Sequence, residues 1–189
     1  MFLRKTKRRE PAAVTMSGVR MGERLLQVGV ENAATAGVIA AKVGLSGSAA
    51  VAVPDEAAAG RVHSAAADAG VLMDVRVTPL NALPLPDASI DVVVVHALQA
   101  LGGAGGSLGA LRECHRVLRR GGRVIVMEAG RPAGAFDRLR VLLRGRQERA
   151  GQANSPAVAA VQAAGFRPVR TVGELDGVRF TEGLKAAPH

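Results

Sequence analysis

The sequence predicts a doubly wound α/β sheet, and three observations predict it. Two short runs, Ile90 to Val95 and Arg123 to Met127, are rich in β-branched residues and lack polar alternation. Strands buried on both faces of a parallel sheet read this way. Between them Leu108, Leu111, Cys114/His115 and Leu118 recur at three- and four-residue spacing, which is a helix period. Gly121 and Gly122 then end the helix and turn the chain into the second strand, completing a βαβ unit. Strand-like and helix-like segments alternate along the rest of the chain, the order that gives helices on both faces of a sheet.

Residues 1 to about 20 show neither period and read as a basic lead-in to a single domain over 21–189. Arg24 to Val28 (RLLQV) forms the first strand, Gly29 to Asn32 a loop, and Ala33 to Val43 a helix stopped by Gly44. Asn32 suits the helix cap because its side chain accepts from early N–H groups. Ala49 to Val53 is the second strand, and Asp55 to Ala69 an Ala-rich helix closed by Gly70. Met73 to Val77 is the third strand, after which Pro79, Pro84 and Pro86 exclude regular structure. The fourth strand, a helix near Ser107–Leu118 and the fifth strand follow. Arg131 to Asn154 is basic, with Phe136, Leu139, Leu142 and Leu143 on one side of an expected helix. Pro156 to Ala164 is a further helix. Phe166 to Val172 and Val178 to Leu184 form a strand pair around the Asp176-Gly177 turn.

At 189 residues and 48% hydrophobic content, the chain suits one domain with a sizeable core. No apolar run approaches the ~18 residues that span a bilayer. MFLRKTKRRE has a basic segment with no apolar segment after it, so no signal peptide is expected and the chain reads as cytoplasmic. One cysteine excludes an internal disulfide and a cysteine-based zinc site, so no metal is expected. Cys114 reads as a small buried thiol. The net charge of +9 is uneven: residues 1–24 hold seven Lys/Arg against two acids, 112–149 eleven against four, and 25–111 three against seven. Such segments suit a solvated surface first and contact with an anionic surface second. With no Trp or Tyr and four Phe, the stacking platform of single-strand binders is missing, and no sequence-specific nucleic acid partner is expected.

The tract LPLPDASIDVVVVHALQALGG…LRECHRVLRRGGRVIVME, from Leu83 to Glu128, resembles the class I S-adenosylmethionine-dependent methyltransferases, small-molecule branch. An acid opens its first strand and RVL-x-x-GGR precedes its second. Near the C-terminus VQAAGFRPVR (Val161 to Arg170) resembles the family's closing helix, so the resemblance covers about residues 20 to 185. It implies a seven-stranded mixed sheet of order 3-2-1-4-5-7-6, the last strand antiparallel. It also implies S-adenosylmethionine as cofactor at the carboxyl ends of the strands, and a small-molecule substrate.

The positions that the family uses for the cofactor are altered. Its D-x-G-x-G-x-G loop is here Gln27-Val28-Gly29-Val30-Glu31-Asn32-Ala33, with one glycine kept, Gln27 at the acid and Glu31 at the second glycine. The ribose-binding acid falls on Pro54, with Asp55 next to it. The structural reading of Asp55 is a helix cap. The adenine-contacting acid falls on Pro79, leaving the Leu80 N–H and the Asn81 amide, or a solvated turn. His96, directly after the fourth strand, is the candidate general base if it keeps its ordinary pKa, and equally a polar loop residue. Glu128, ending the fifth strand, either lines the substrate side or caps the strand. VVHAL at the end of the fourth strand differs from the Asn/Asp-Pro-Pro-Tyr signature of amino-group methyltransferases. With no G-x-G-x-x-G after any strand, a dinucleotide oxidoreductase is a weak option.

Two functions follow. The first is a methyltransferase of a small hydrophobic molecule. The second is a non-catalytic descendant with weakened or lost cofactor binding, serving as an interaction or regulatory module. The loop Gly29–Ala33 favours the second, and the 83–128 tract favours neither.

Overall fold

Residues 11–98, 101, 103–129 and 155–187 of the computed structural model are described here, with the side chains of 103–105 set aside. The basic segment predicted over 131–150, the first ten residues and His189 lie outside them. Seven strands form one sheet: β1 (Arg24–Val28), β2 (Ser48–Val53), β3 (Asp74–Val77), β4 (Ile90–Val95), β5 (Leu118–Ala129), β6 (Val169–Leu175) and β7 (Val178–Leu184). Their order is β3-β2-β1-β4-β5-β7-β6. β1 to β5 pair in parallel, and β7 runs antiparallel to both β5 and β6. The predicted fold class and strand order hold.

The centre of the sheet explains the apolar runs. Val92, Val93, Val94 and Val95 are all fully buried, because alternate residues meet helices on opposite faces. On one face Val93 and Val95 pack with Leu26, Val28 and Val126 beneath α4 (Gly103–Val117) and α5 (Pro156–Ala163). On the other, Val92 and Val94 pack with Leu25, Ile125, Met127 and Phe180 beneath α2 (Ala33–Ala41) and the short α1 (Ala12–Met16). Helix α3 (Glu56–Ala69) extends this second layer over Val51 and Val53. Each such valine stabilises the fold by about 1.5–3 kcal/mol relative to an exposed one.

Four boundaries differ from expectation. The predicted lead-in contains α1, whose Ala12 and Val14 are buried; five residues are too few for a helix period to show. Helix α4 starts at Gly103, earlier than predicted, because glycines of low helix propensity fill its first turn. Gly121 and Gly122 lie inside β5 and not between helix and strand. Leu118 already pairs with Ile90, and the register shifts so that Arg123 pairs with Val92. The intervening residues bulge, and Gly121 takes the left-handed φ of +73° that the bulge requires. β6 begins at Val169 and not Phe166, because Phe166 turns fully inward against α4, its ring edge-on to His115 at 4.9 Å.

Ion pairs close the amino edge of the sheet. Asp91 accepts from the Arg24 backbone N–H (2.8 Å), from the Arg24 guanidinium (3.0 and 3.2 Å) and from Arg119 Nε. The Arg24 guanidinium beside it, reinforced by Arg119 and opposed by burial, holds the Asp91 carboxyl well below the usual carboxylate range. Arg116 donates to Leu83 O and Leu85 O (both 2.9 Å), and also to Asp87 and Glu113, so it pins the proline-rich loop onto α4. The conspicuous 83–128 tract is thus a physical unit as well as a pattern.

Asp91→Ala should lower stability by about 2 kcal/mol, since hydrogen bonds to a charged group are lost while both arginines stay half exposed. Urea denaturation at pH 7 measures this. A loss below about 0.5 kcal/mol, the usual range for surface substitutions, would show that the clamp is dispensable.

Candidate active site

The carboxyl ends of β1, β2 and β4 form one edge at the point where the strand order reverses. A doubly wound sheet opens a crevice there. The backbone ladder continues one residue past each strand: Gly29 N donates to Ala52 O (3.4 Å), His96 N to Val28 O (3.0 Å) and Thr78 N to Val53 O (2.9 Å). Gly29 and His96 therefore stand side by side along the edge, and Thr78 lies two strands away from Gly29, beyond β2.

Gln27 and His96 form a buried pair across β1 and β4. Gln27 is fully buried and its Nε2 donates to Ala36 O on α2 at 2.9 Å. That contact fixes the amide, because a carbonyl only accepts. Its Oε1 faces His96 Nε2 at 2.8 Å, so Nε2 carries the proton and Nδ1 remains the acceptor of the ring. Burial pushes the His96 pKa down to about 4. The expectation of an ordinary histidine pKa is corrected: the imidazole is neutral at physiological pH because its protonated form would lose water. Sequence parity could have found the pair, since Gln27 registers with Val94 and His96 lies two residues on, on the same face.

The glycine loop is tighter than its sequence suggests. Gly29 has a φ of +66°, and a Cβ built on it would meet Leu101 Cδ2 at 2.6 Å. Leu101, itself buried, therefore lies directly over the single retained glycine; no sequence signal marked it. Val30 is buried against α2 and α3, and Glu31 is exposed. At the end of β2, Pro54 is exposed and has no side-chain acceptor. Asp55 caps α3, one oxygen accepting from Ala58 N at 2.7 Å, as the structural reading of that residue predicts. Asn32 likewise caps α2 through Thr35 N at 3.0 Å. Past β3, Leu80 is half-buried against the α4 side of the core and Asn81 is exposed.

A family model described as a methyltransferase domain matches residues 26–126. The chain belongs to that family. Among solved structures, it is similar to an S-adenosylmethionine-dependent methyltransferase from Aquifex aeolicus, at 18% identity and a TM-score of 0.68, covering 91% of this chain and 87% of that one. It is similar to the YcgJ protein of Bacillus subtilis at 15% identity and a TM-score of 0.64, covering 93% and 97%. It also resembles the [4+2]-cyclase SpnF at 23% identity and a TM-score of 0.56, covering 85% of this chain and 57% of that one. No curated protein matches the chain. The fold is that of the S-adenosylmethionine-dependent methyltransferases.

The remaining titratable groups of the methyltransferase domain fall into two kinds. Cys114 is fully buried, and burial with the Glu113 carboxylate nearby pushes its thiol up to about 12, so it is inert packing. His115 meets Phe166 edge-on, and His63 is exposed on α3. Glu128 is different: it is buried near the end of β5, with Oε2 accepting from Ser155 Oγ at 3.0 Å. Among the described residues no group of His, Cys, Asp and Glu has the geometry to hold a metal ion. No helix among them is long and apolar enough to cross a membrane.

His96 gives stability a pH dependence. Its folded pKa of about 4 lies below the ordinary 6.5, so on acidification the unfolded chain takes up the proton first. Stability is then lost as pH falls from about 6.5 to 4, by at most about 3 kcal/mol. Urea midpoints for the native protein and for His96→Asn, measured at pH 4.5, 5.5 and 7, check this. The native curve should fall more steeply than the variant's, and parallel curves would place the imidazole in solvent.

Proposed function

We propose that this methyltransferase domain transfers a methyl group from S-adenosylmethionine to a small, hydrophobic molecule, with a cofactor grip weaker than the family's usual one. The observation that carries the reading is the carboxyl edge itself. The glycine turn after β1, Asp55 after β2 and His96 after β4 follow the carboxyl ends of three neighbouring strands where the strand order reverses, which supports a ligand crevice there. Asp55 supports the nucleoside half of the cofactor, because its second carboxylate oxygen is left over for a ribose hydroxyl after the helix cap is made. The Asn81 amide suits the adenine. The methionine half fits less well, since Leu101 covers Gly29 and must move aside. When bound, the cofactor supplies an activated methyl group for in-line displacement, and the demands on the protein are positioning and exclusion of water. His96 serves as a neutral acceptor through Nδ1. At a pKa of about 4 it orients a substrate donor better than it deprotonates one.

The second reading, a non-catalytic member serving as an interaction or regulatory module, is favoured by the same Leu101 contact and by Gln27, which is spent on Ala36 and His96. The SpnF neighbour, described as a cyclase, supports the view that this fold hosts other chemistry. We place the protein in the cytoplasm. Contact of its basic segments with anionic surfaces is part of the proposal and rests on composition alone.

Calorimetric titration with S-adenosylmethionine and S-adenosylhomocysteine separates the readings. Each hydrogen bond lost to a neutral partner is worth ~0.5–1.5 kcal/mol, so the altered side chains and glycines together make native binding about a hundredfold weaker than with the family's full set. Leu101→Ala and Glu31→Gly should each strengthen it, and Pro54→Asp should add to Glu31→Gly by restoring the ribose acceptor. Absence of binding in the native protein and in every variant would establish the non-catalytic reading. Micromolar native binding that is lost in Glu31→Gly would instead make Glu31 a partner of the cofactor's ammonium group.

A further inference from the structure

Two buried carboxylates in the sheet contrast sharply. Asp91, at the amino edge, has both oxygens taken by arginines and a backbone N–H. Glu128, at the carboxyl edge, is only 5% exposed, yet one oxygen alone is bonded. Its Oε1 is buried with no hydrogen-bond partner among the described residues. A carboxylate that merely holds structure together has both oxygens satisfied, because an unpaired buried acceptor keeps the full cost of losing water.

The surroundings of Glu128 define what is missing. Arg179 stands directly across the ladder from it, but its guanidinium is turned to Glu174 at 3.2 Å. Ser155 is spent, donating to Oε2 while its oxygen accepts from Ala157 N at 3.2 Å to cap α5. Thr181 shares the α5 face two residues along β7, diagonal to Glu128 and within reach of a long side chain, and its hydroxyl, like that of Thr171 across from it on β6, is buried with no partner among the described residues. Glu128 lies two residues beyond the rung where Val126, Val95 and Val28 register. This is level with the loop after β1, and two strand spacings, about 10 Å, to the side of it. That separation suits a small molecule lying between the loop and the carboxylate.

We propose that Glu128 Oε1 holds an amine of the small-molecule ligand, with the Thr181 hydroxyl beside it. An amine fits because Glu128 Oε1 only accepts and the Thr181 and Thr171 hydroxyl oxygens can accept as well, while an amine offers several N–H donors at once. The proposal rests on the reading that this edge takes a small molecule, and its test does not depend on methyl transfer.

The full chain, native and Glu128→Met, is titrated with benzylamine and with toluene as the matched apolar probe, using ligand-observed NMR. Thermal unfolding of both proteins is followed without ligand. A ligand-holding carboxylate predicts that native protein prefers benzylamine over toluene and that Glu128→Met weakens benzylamine by about tenfold or more while leaving toluene unchanged. It also predicts that the free variant melts within about ten degrees of the native protein, since loss of the single Ser155 bond is offset by removal of an unpaired buried acceptor. A variant that melts more than about ten degrees lower, beyond what the Ser155 bond accounts for, would make Glu128 a structural strut and overturn the proposal. Equal native affinity for the two probes, or unchanged benzylamine binding in Glu128→Met, would overturn it as well. Glu128→Gln, which keeps the shape and the Ser155 contact, repeats the binding arm if the methionine variant fails to fold. Failure of the cofactor reading shows separately, as absent S-adenosylmethionine binding in a protein that still selects benzylamine.

Discussion

The pairing of β1 with β4 is the constraint on which the molecule depends. Both strands are buried on both faces, so their side chains must be apolar wherever helices cover them, and polar groups are pushed to the strand ends. Gln27 is the exception that tests the rule. It lies fully buried within β1, and it is tolerated because Ala36 O and His96 satisfy both ends of its amide. The pair also couples strand to helix, since Gln27 reaches α2 on one side and β4 on the other.

The two edges of the sheet then divide the work. At the amino edge, Asp91 with Arg24 and Arg119, Glu23 with Arg123, and Glu113 with Arg116 form bonded sets that fix strand register and loop position. Lys185 joins them by donating to Arg116 O and Leu118 O, the carbonyls on either side of the junction of α4 and β5. At the carboxyl edge the polar groups are sparser and less fully used. Asp55 gives one oxygen to a cap, Glu128 leaves one oxygen bare, and Asn81 and Glu31 face solvent. Water satisfies an exposed group, whereas a buried one without a partner keeps the cost of leaving water, so among these Glu128 stands apart.

Leu101 gives the site its particular character. Where the family approaches its cofactor through glycines, this chain keeps one, and covers it with a leucine from the loop after β4. The same contact closes the apolar core over the strand ends and narrows access to the loop.

The sequence by itself determined the fold class, the strand order and most element positions. Helix and strand periods are local, and the 83–128 tract carries its own partners in Arg116, Glu113 and Asp91. It also determined both caps, Asn32 and Asp55, because a cap needs only its own next turn. It missed α1, which is too short for a period, and placed β6 three residues early, because inward rotation of Phe166 depends on α4. Only the tertiary structure decided the chemistry of the edge. Whether His96 titrates near neutrality depends on its burial, which a residue type does not carry. That Gln27 turns inward, that Leu101 lies over Gly29, and that Glu128 keeps one oxygen unpaired all depend on elements tens of residues apart. The physical reason is range: propensity and periodicity act over a few residues, whereas desolvation and hydrogen-bond satisfaction are settled only when distant strands and helices close around a group.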